Sequence, residues 1–383
     1  MKIEFTEDQL SLQQMAREFA EKEIAPRAAE LDETSRHPAE LFAMMAEQGF
    51  TGLCTPEEYG GAGGGDIEKA IVIEEFAKKD PAVAGVYAIH FGCPAFLNNW
   101  GTEEQKRTYL PKLASGALGA FAMTEPGAGS DASAMRTTAI LDESTGEYVI
   151  NGTKCFITGG SQAQYIALIA LTQPEKGTKG MSAILIDTEK VLGKGFSIGK
   201  IEHKMGLHAS ETAELIFQDC RVPKENLIGV EGKGFGYAMT ILDSSRIACG
   251  AQCAGLAEGA IELAVKYAGE RVQFGKPIGA NEGIQWYLAD MATRTECAKW
   301  MTYRAAYLKA SGQKHSKEAA MAKLFGSETA RYVANLALQI HGGYGYMEEY
   351  PLAKLYRDAQ ILEIWIGTSE VQKMVISRAV MSK

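Results

Sequence analysis

The stretch EYVINGTKCFITGG, residues 147–160, decides how this chain is read. It is rich in β-branched and apolar residues and ends on a glycine pair. YIALIAL (165–171), MSAILID (181–187) and AELIFQDCRVP (213–223) repeat that character, separated by Gly, Asn, Asp and Ser clusters at near-regular intervals. Such runs predict strands, and together they predict an all-β unit over residues 119–230. Strand follows strand without an intervening helix, so a parallel nucleotide-binding sheet is not indicated.

On both sides of this unit the period changes to that of helices. Thr6 and Gln9 have the spacing of a capping box, and Leu10, Met15 and Phe19 recur behind them at roughly helical intervals. PAELFAMMAEQGF (38–50) and DIEKAIVIEEFAKK (66–79) continue the pattern, with the glycine-rich loop TPEEYGGAGGGD (55–66) between them. Beyond GVEGKGFGYAM (229–239), the segments 251–272, 281–312 and 317–340 are each long enough for a bundle of the four-helix kind. The expected architecture is α+β: a helical domain over 1–118, an antiparallel β domain over 119–230 and a helical bundle over 231–383.

The 383 residues exceed what one hydrophobic core usually serves, which agrees with several sub-domains. A formal net charge of -9, with dispersed basic residues, argues against nucleic acid as a partner. No apolar run approaches the roughly 20 residues of a membrane span, and no leader pattern opens the chain, so a cytoplasmic protein is expected. The seven cysteines are scattered without a CxxC pair, which suits reduced, buried thiols and no metal site. Cys249 and Cys253, at i,i+4, read as small core residues.

Three glycine-rich stretches, 60–65, 127–131 and 232–236, lack the strand–glycine–helix context of a dinucleotide fingerprint. FAMTEPGAGSDAS (121–133) differs from a plain loop. Thr124, Gly127, Gly129 and Ser130 supply small groups and backbone N–H donors where a flat or anionic ligand can approach, with Phe121 and Met123 beside them.

FAMTEPGAGSD (121–131), KCFITGG (154–160), ERVQFGKPI (270–278), QIHGGYGY (339–346), YRDAQI (356–361) and IGTSEVQ (366–372) occur in that order along the chain. On these motifs the sequence resembles the acyl-CoA dehydrogenases, in particular the short-chain, butyryl-CoA-type bacterial members, over essentially its whole length. The resemblance implies FAD, an acyl-CoA substrate, a homotetramer built as a dimer of dimers, and electron-transfer flavoprotein as redox partner. It implies that Phe121, Met123, Thr124, Gly129, Ser130, Phe156 and Thr158 line one side of the flavin, Phe156 standing where many members have tryptophan. Arg271, Gln273, Phe274, Gln339 and Gly343 would reach the FAD of a neighbouring subunit, and Thr368 and Glu370 would close over its adenosine half. Ser130, Asp243 and Arg246 would contact the CoA chain, with Gly367 beside the thioester.

In that family the α-proton is removed by a glutamate immediately before the Gly-Thr of the last motif, a position held here by Ile366. Some relatives carry the glutamate before the arginine of the LDSSR segment instead, where this chain has Ser245. Both seats lack a carboxylate. His90 of VYAIHFGC, with Tyr87 one turn earlier, is the candidate for a relocated base, ahead of Glu363 and Asp243. The functional expectation is therefore an FAD-dependent oxidoreductase of the acyl part of a CoA thioester, in either direction, with a non-standard base and a cyclic or unsaturated substrate. The alternatives are flavin-dependent elimination or desulfination, and a silent FAD- or acyl-CoA-binding protein. Cyclic-diene-forming relatives carry an acid on the His90 segment and desulfinase relatives an arginine. Neither an acid between Asp80 and Glu103 nor an arginine between Arg36 and Arg107 is present here.

Overall fold

The computed structural model describes residues 4–382. The N-terminal part holds helices α1 (Glu7–Phe19), α2 (Ala28–Thr34), α3 (Ala39–Glu47), α4 (Asp66–Ala77), α5 (Pro81–His90), α6 (Gly92–Trp100) and α7 (Glu103–Ala114). The Thr6–Gln9 capping box closes reciprocally on the first free N–H groups of α1. α5 starts where Asp80 accepts the backbone N–H groups of Ala82 and Val83 at 2.7 and 3.2 Å, with Pro81 at the first helical position. The same carboxylate takes Lys354 at 3.1 Å, so the start of α5 is tied electrostatically to a C-terminal helix.

The middle unit contains β1 (Gly119–Ala122), β2 (Thr138–Asp142), β3 (Glu147–Thr158), β4 (Tyr165–Leu171), β5 (Met181–Asp187), the short α8 (Thr188–Val191), β6 (Phe196–Ile201), β7 (Thr212–Pro223) and β8 (Leu227–Ile228). They form one sheet in the order β6-β7-β3-β2-β4-β5-β8, with β1 also on β4. The sheet is mixed rather than purely antiparallel, because β1 and β2 both run parallel to β4. β4 and β5 are buried on both faces, which explains why they read as unbroken apolar runs: Ala167, Ile169 and Leu185 face α6 and the C-terminal helices, while Ile166, Leu168 and Ile184 fill the other side of the sheet.

The C-terminal part has α9 (Gly234–Glu270), the hairpin β9 (Val272–Gln273)–β10 (Lys276–Pro277), and then α10 (Glu282–Ala310), α11 (Ser316–His341), α12 (Pro351–Ile361) and α13 (Ser369–Met381). α9 begins well before residue 251, taking in the segment that its glycines suggest is loop. Its small residues serve close packing: a Cβ on Gly255 or Gly259 would stand 2.2 Å from the carbonyl oxygens of Glu74 and Lys78, so α9 seats directly on α4. α5, α9 and the 362–368 turn thereby converge around one buried cavity.

Candidate functional site

The cavity measures about 40 Å³. Its walls are α5 and α6 (Gly85, Ala88, Ile89, Phe91, Gly92), the α9 face bearing Ile241, Ser245, Cys249 and Gln252, and the turn residues Trp365 and Ile366, with Lys69 and Ser244 also lining it. Ile366 lines it as the family resemblance implies, in a left-handed conformation with φ 55°. A β-branched residue there is strained, and such strain persists only where the surroundings impose it. Here they do so through carbonyls: Gln372 donates to the oxygens of Ile366 and Gly367 at 3.2 and 2.7 Å, and buried Lys323 donates to those of Glu363 and Gly367 at 3.1 and 2.8 Å.

Ser245 also lines the cavity, but its hydroxyl bonds back to the Ile241 carbonyl at 3.0 Å. The Glu363 carboxylate points away into a 2.6 Å ion pair with Arg331. Buried Arg246 pairs with half-buried Asp243 on the same stretch of α9, and Asp243 also accepts the Ser316 hydroxyl. The Arg246 Nε is buried without a hydrogen-bond partner, so the guanidinium keeps a donor for something further.

His90 is where the structure departs from the sequence expectation. The ring is fully buried beneath the cavity wall, not in it. Its Nδ1 accepts the backbone N–H of Gly119 at 3.2 Å, which places the ring proton on Nε2, 3.1 Å from the Thr51 carbonyl. Burial, opposed only by that carbonyl, lowers its pKa to about 4. Both nitrogens are committed to backbone, so the ring has no lone pair for a substrate, and Tyr87 is likewise spent on the Phe50 carbonyl at 3.1 Å. The pair joins α5 to the 50–52 turn and to β1.

The residues expected on the flavin side gather elsewhere. The end of β1 meets β3 where the Cys155 N–H donates to the Thr124 carbonyl at 2.9 Å, and a bulge interrupts β3 between Lys154 and Ile157. Within it Phe156 takes φ 57° and turns outward, 63% exposed. Beneath, buried Lys154 binds the Met123 carbonyl at 3.0 Å and Glu125 at 2.7 Å, and Glu125 also accepts the N–H groups of Arg136 and Thr137. Burial lowers Lys154 to about 8 against the pull of Glu125. Lys154 and Glu125, which sequence reasoning passed over, thus fix the shelf; a lysine inside an apolar strand motif is the signal that marks them. Space around Gly127 and Gly129 is open, and Ser130 is exposed. Phe121 instead packs inward on Phe96, and Thr158 pairs with Thr212 at the strand end.

Arg271, Gln273 and Gly343 share a second, wider cleft of about 530 Å³ with Tyr267 and His341. Exposed Gln339 lies beside it on α11, and Phe274 stands fully exposed at the hairpin tip. Thr368 caps α13, accepting the Val371 N–H, with Glu370 exposed in its first turn. An outward-facing aromatic over a polar, donor-rich shelf, and an arginine-bearing cleft, fit the flat ring and anionic linker of a flavin dinucleotide.

This combination defines a flavoenzyme that handles an acyl chain in a buried cavity. The sequence matches the N-terminal, middle and C-terminal domain models of acyl-CoA dehydrogenase over residues 6–117, 120–220 and 232–381. It is 57% identical to the acryloyl-CoA reductase (NADH) of Anaerotignum propionicum, covering 100% of this chain and 97% of that protein. It is 42% identical, over 99% of this chain and 100% of that protein, to the caffeyl-CoA reductase-Etf complex subunit CarC of Acetobacterium woodii. The solved butyryl-CoA dehydrogenase of Megasphaera elsdenii superposes with a TM-score of 0.96 at 42% identity, again over 100% of both chains. The chain belongs to the acyl-CoA dehydrogenase family, as an FAD-dependent oxidoreductase of acyl-CoA thioesters. No helix among the described residues is long and apolar enough to cross a membrane.

Proposed function

We propose that this protein interconverts short 2-enoyl-CoA and acyl-CoA thioesters, working as a reductase of three- and four-carbon chains and lacking the carboxylate base of its family. The observation that carries this reading is the cavity itself. At about 40 Å³ it holds roughly three water-sized groups, with Trp365 and Ile366 among its walls. A longer or cyclic acyl chain would require lining side chains such as Trp365 to move. The acryloyl-CoA reductase, which matches along nearly the whole of both chains, supports the same substrate class and direction.

FAD, when bound, supplies the hydride chemistry. The protein's own residues hold the acyl chain in a mostly apolar slot, with Arg246 and Asp243 toward its CoA end and Phe156, Met123, Thr124, Gly129 and Ser130 under the flavin ring. Elimination of a sulfinate is not favoured, because no arginine lines the cavity. The exposed Arg271, Gln273 and Phe274 are best used by the FAD of a second subunit, which supports the homotetramer, and the Etf-complex relative supports electron-transfer flavoprotein as partner. A cytoplasmic location belongs to the same reading.

The test is anaerobic. Chemically reduced protein mixed with acryloyl-CoA or crotonyl-CoA should reoxidise rapidly and give propionyl-CoA or butyryl-CoA by mass, while 2-octenoyl-CoA and cyclohexene-carboxyl-CoA should react at least tenfold more slowly. Equal rates across chain lengths, or no reoxidation by any of them, would reject the proposal.

A further inference from the structure

We infer that Cys249 is the group that exchanges the α-proton of the thioester, replacing the absent carboxylate; this rests on the short-chain reading above. Five polar side chains line the acyl cavity: Lys69, Ser244, Ser245, Cys249 and Gln252. Lys69 is an ammonium locked to Asp66 at 2.8 Å and to Ser244 at 3.2 Å. Ser244 is held by Asp66, Ser245 by the Ile241 carbonyl, and Gln252 donates to the Pro81 carbonyl at 2.7 Å. That leaves the sulfur of Cys249, one helical turn beyond Ser245 on the same face of α9 and in the same cavity wall as Ile366.

The sulfur sits in surroundings that suit its anion. The Trp365 indole N–H donates to it at 3.3 Å, from the residue adjacent to Ile366. The thiol of Cys253 donates to it from the next turn, and the Lys323 ammonium lies close enough to act on it electrostatically. These donors, Cys253 foremost, hold the Cys249 thiol below its ordinary range despite burial, while Cys253 is pushed up. Of the pair, Cys249 therefore ionises first. A thiolate is a stronger base than a carboxylate, by about four units of intrinsic pKa, so it is competent for the proton half of the reaction. In the exchange step the Cα–H bond breaks, its electron pair stays on the thioester as the enolate, and an S–H bond forms. In the reductive direction the same S–H bond breaks as Cα–H forms, leaving the pair on sulfur. No oxidant enters either transfer.

Exchange can be read apart from turnover. Propionyl-CoA held with the oxidised holoenzyme in D₂O should acquire deuterium at Cα, measured by mass. Cys249→Ser and Cys249→Ala, with FAD content and butyryl-CoA binding intact, should lose ~10²–10⁴-fold of that exchange. Should both variants fail to fold, iodoacetamide on the wild-type holoenzyme decides the matter: labelling mapped to Cys249 should abolish exchange, and butyryl-CoA should shield it. Exchange at the wild-type rate in either variant, no exchange by the wild type, or labelling of Cys249 without loss of exchange would overturn the inference. If reduced wild type still converts acryloyl-CoA, the substrate reading survives that failure; if it does not, that reading has failed on its own.

Discussion

His90 and Cys249 are both buried titratable side chains on helices that wall one cavity, and they answer the same question in opposite ways. His90 spends both nitrogens on backbone, at Thr51 and Gly119, and burial drives it neutral. Cys249 receives side-chain donors from Trp365 and Cys253 and keeps its sulfur in the cavity lining. A titratable group in the right segment is thus no guide to chemistry until its lone pairs are accounted for. The histidine joins three chain segments; the cysteine lines the cavity.

The largest effect that sharpens this contrast comes from introducing a carboxylate. Ile366→Glu should raise flavin bleaching by butyryl-CoA by ~10²-fold or more under anaerobic stopped flow. The backbone is ready for it, since an unbranched side chain tolerates φ 55° better than isoleucine does. Cys249→Ala in the Ile366→Glu background should then cost little, because the proton has a second seat. An unchanged bleaching rate in Ile366→Glu with FAD bound would mean that the cavity does not present Cα to this turn.

A smaller effect separates the two sides of the reaction centre. Phe156→Ala removes an exposed ring held in a left-handed bulge, so it should leave thermal stability unchanged or slightly raised. It should also weaken FAD by about tenfold, a loss of the order found for aromatic stacking. FAD titration of the apoprotein checks this; unaltered affinity would take Phe156 off the flavin shelf.

Much of this arrangement was legible in the sequence. Strand character in 147–160 and its repeats places the sheet, since β-branched runs between glycine clusters have few other uses. The parallel pairing of β1 and β2 on β4 was not legible, because pairing direction depends on contacts between segments far apart in the chain. Ile366 and Ser245 both line the cavity. Cys249 and Gln252 lie at i+4 and i+7 from Ser245, so that helical spacing would have shown them on the same face. What sequence could not show was the commitment of His90: its partners are two backbone groups, Thr51 and Gly119, that no side-chain pattern reports.

The smallest expected change in chemistry, and the most direct check on the comparison, is His90→Gln. A glutamine amide can accept from Gly119 and donate to Thr51, so α-proton exchange and enoyl-CoA reduction should stay within about threefold of wild type. Loss of ~10²-fold or more, with the fold intact, would restore His90 as the base. Stability should respond instead. With imperfect amide geometry the variant should be less stable at pH 7 by about 1–2 kcal/mol. In the wild type His90 titrates near 4 when folded and at its ordinary 6.5 when unfolded. Between those values only the unfolded chain binds the proton, so this contribution is complete above pH 6.5 and is lost as pH falls toward 4, amounting to about 3 kcal/mol over the interval. Glutamine does not titrate. Its deficit, followed by the apparent Tm, should therefore shrink below pH 6.5 and reverse between about pH 5 and 6; a deficit independent of pH would mean that burial does not lower the histidine's pKa in the folded protein.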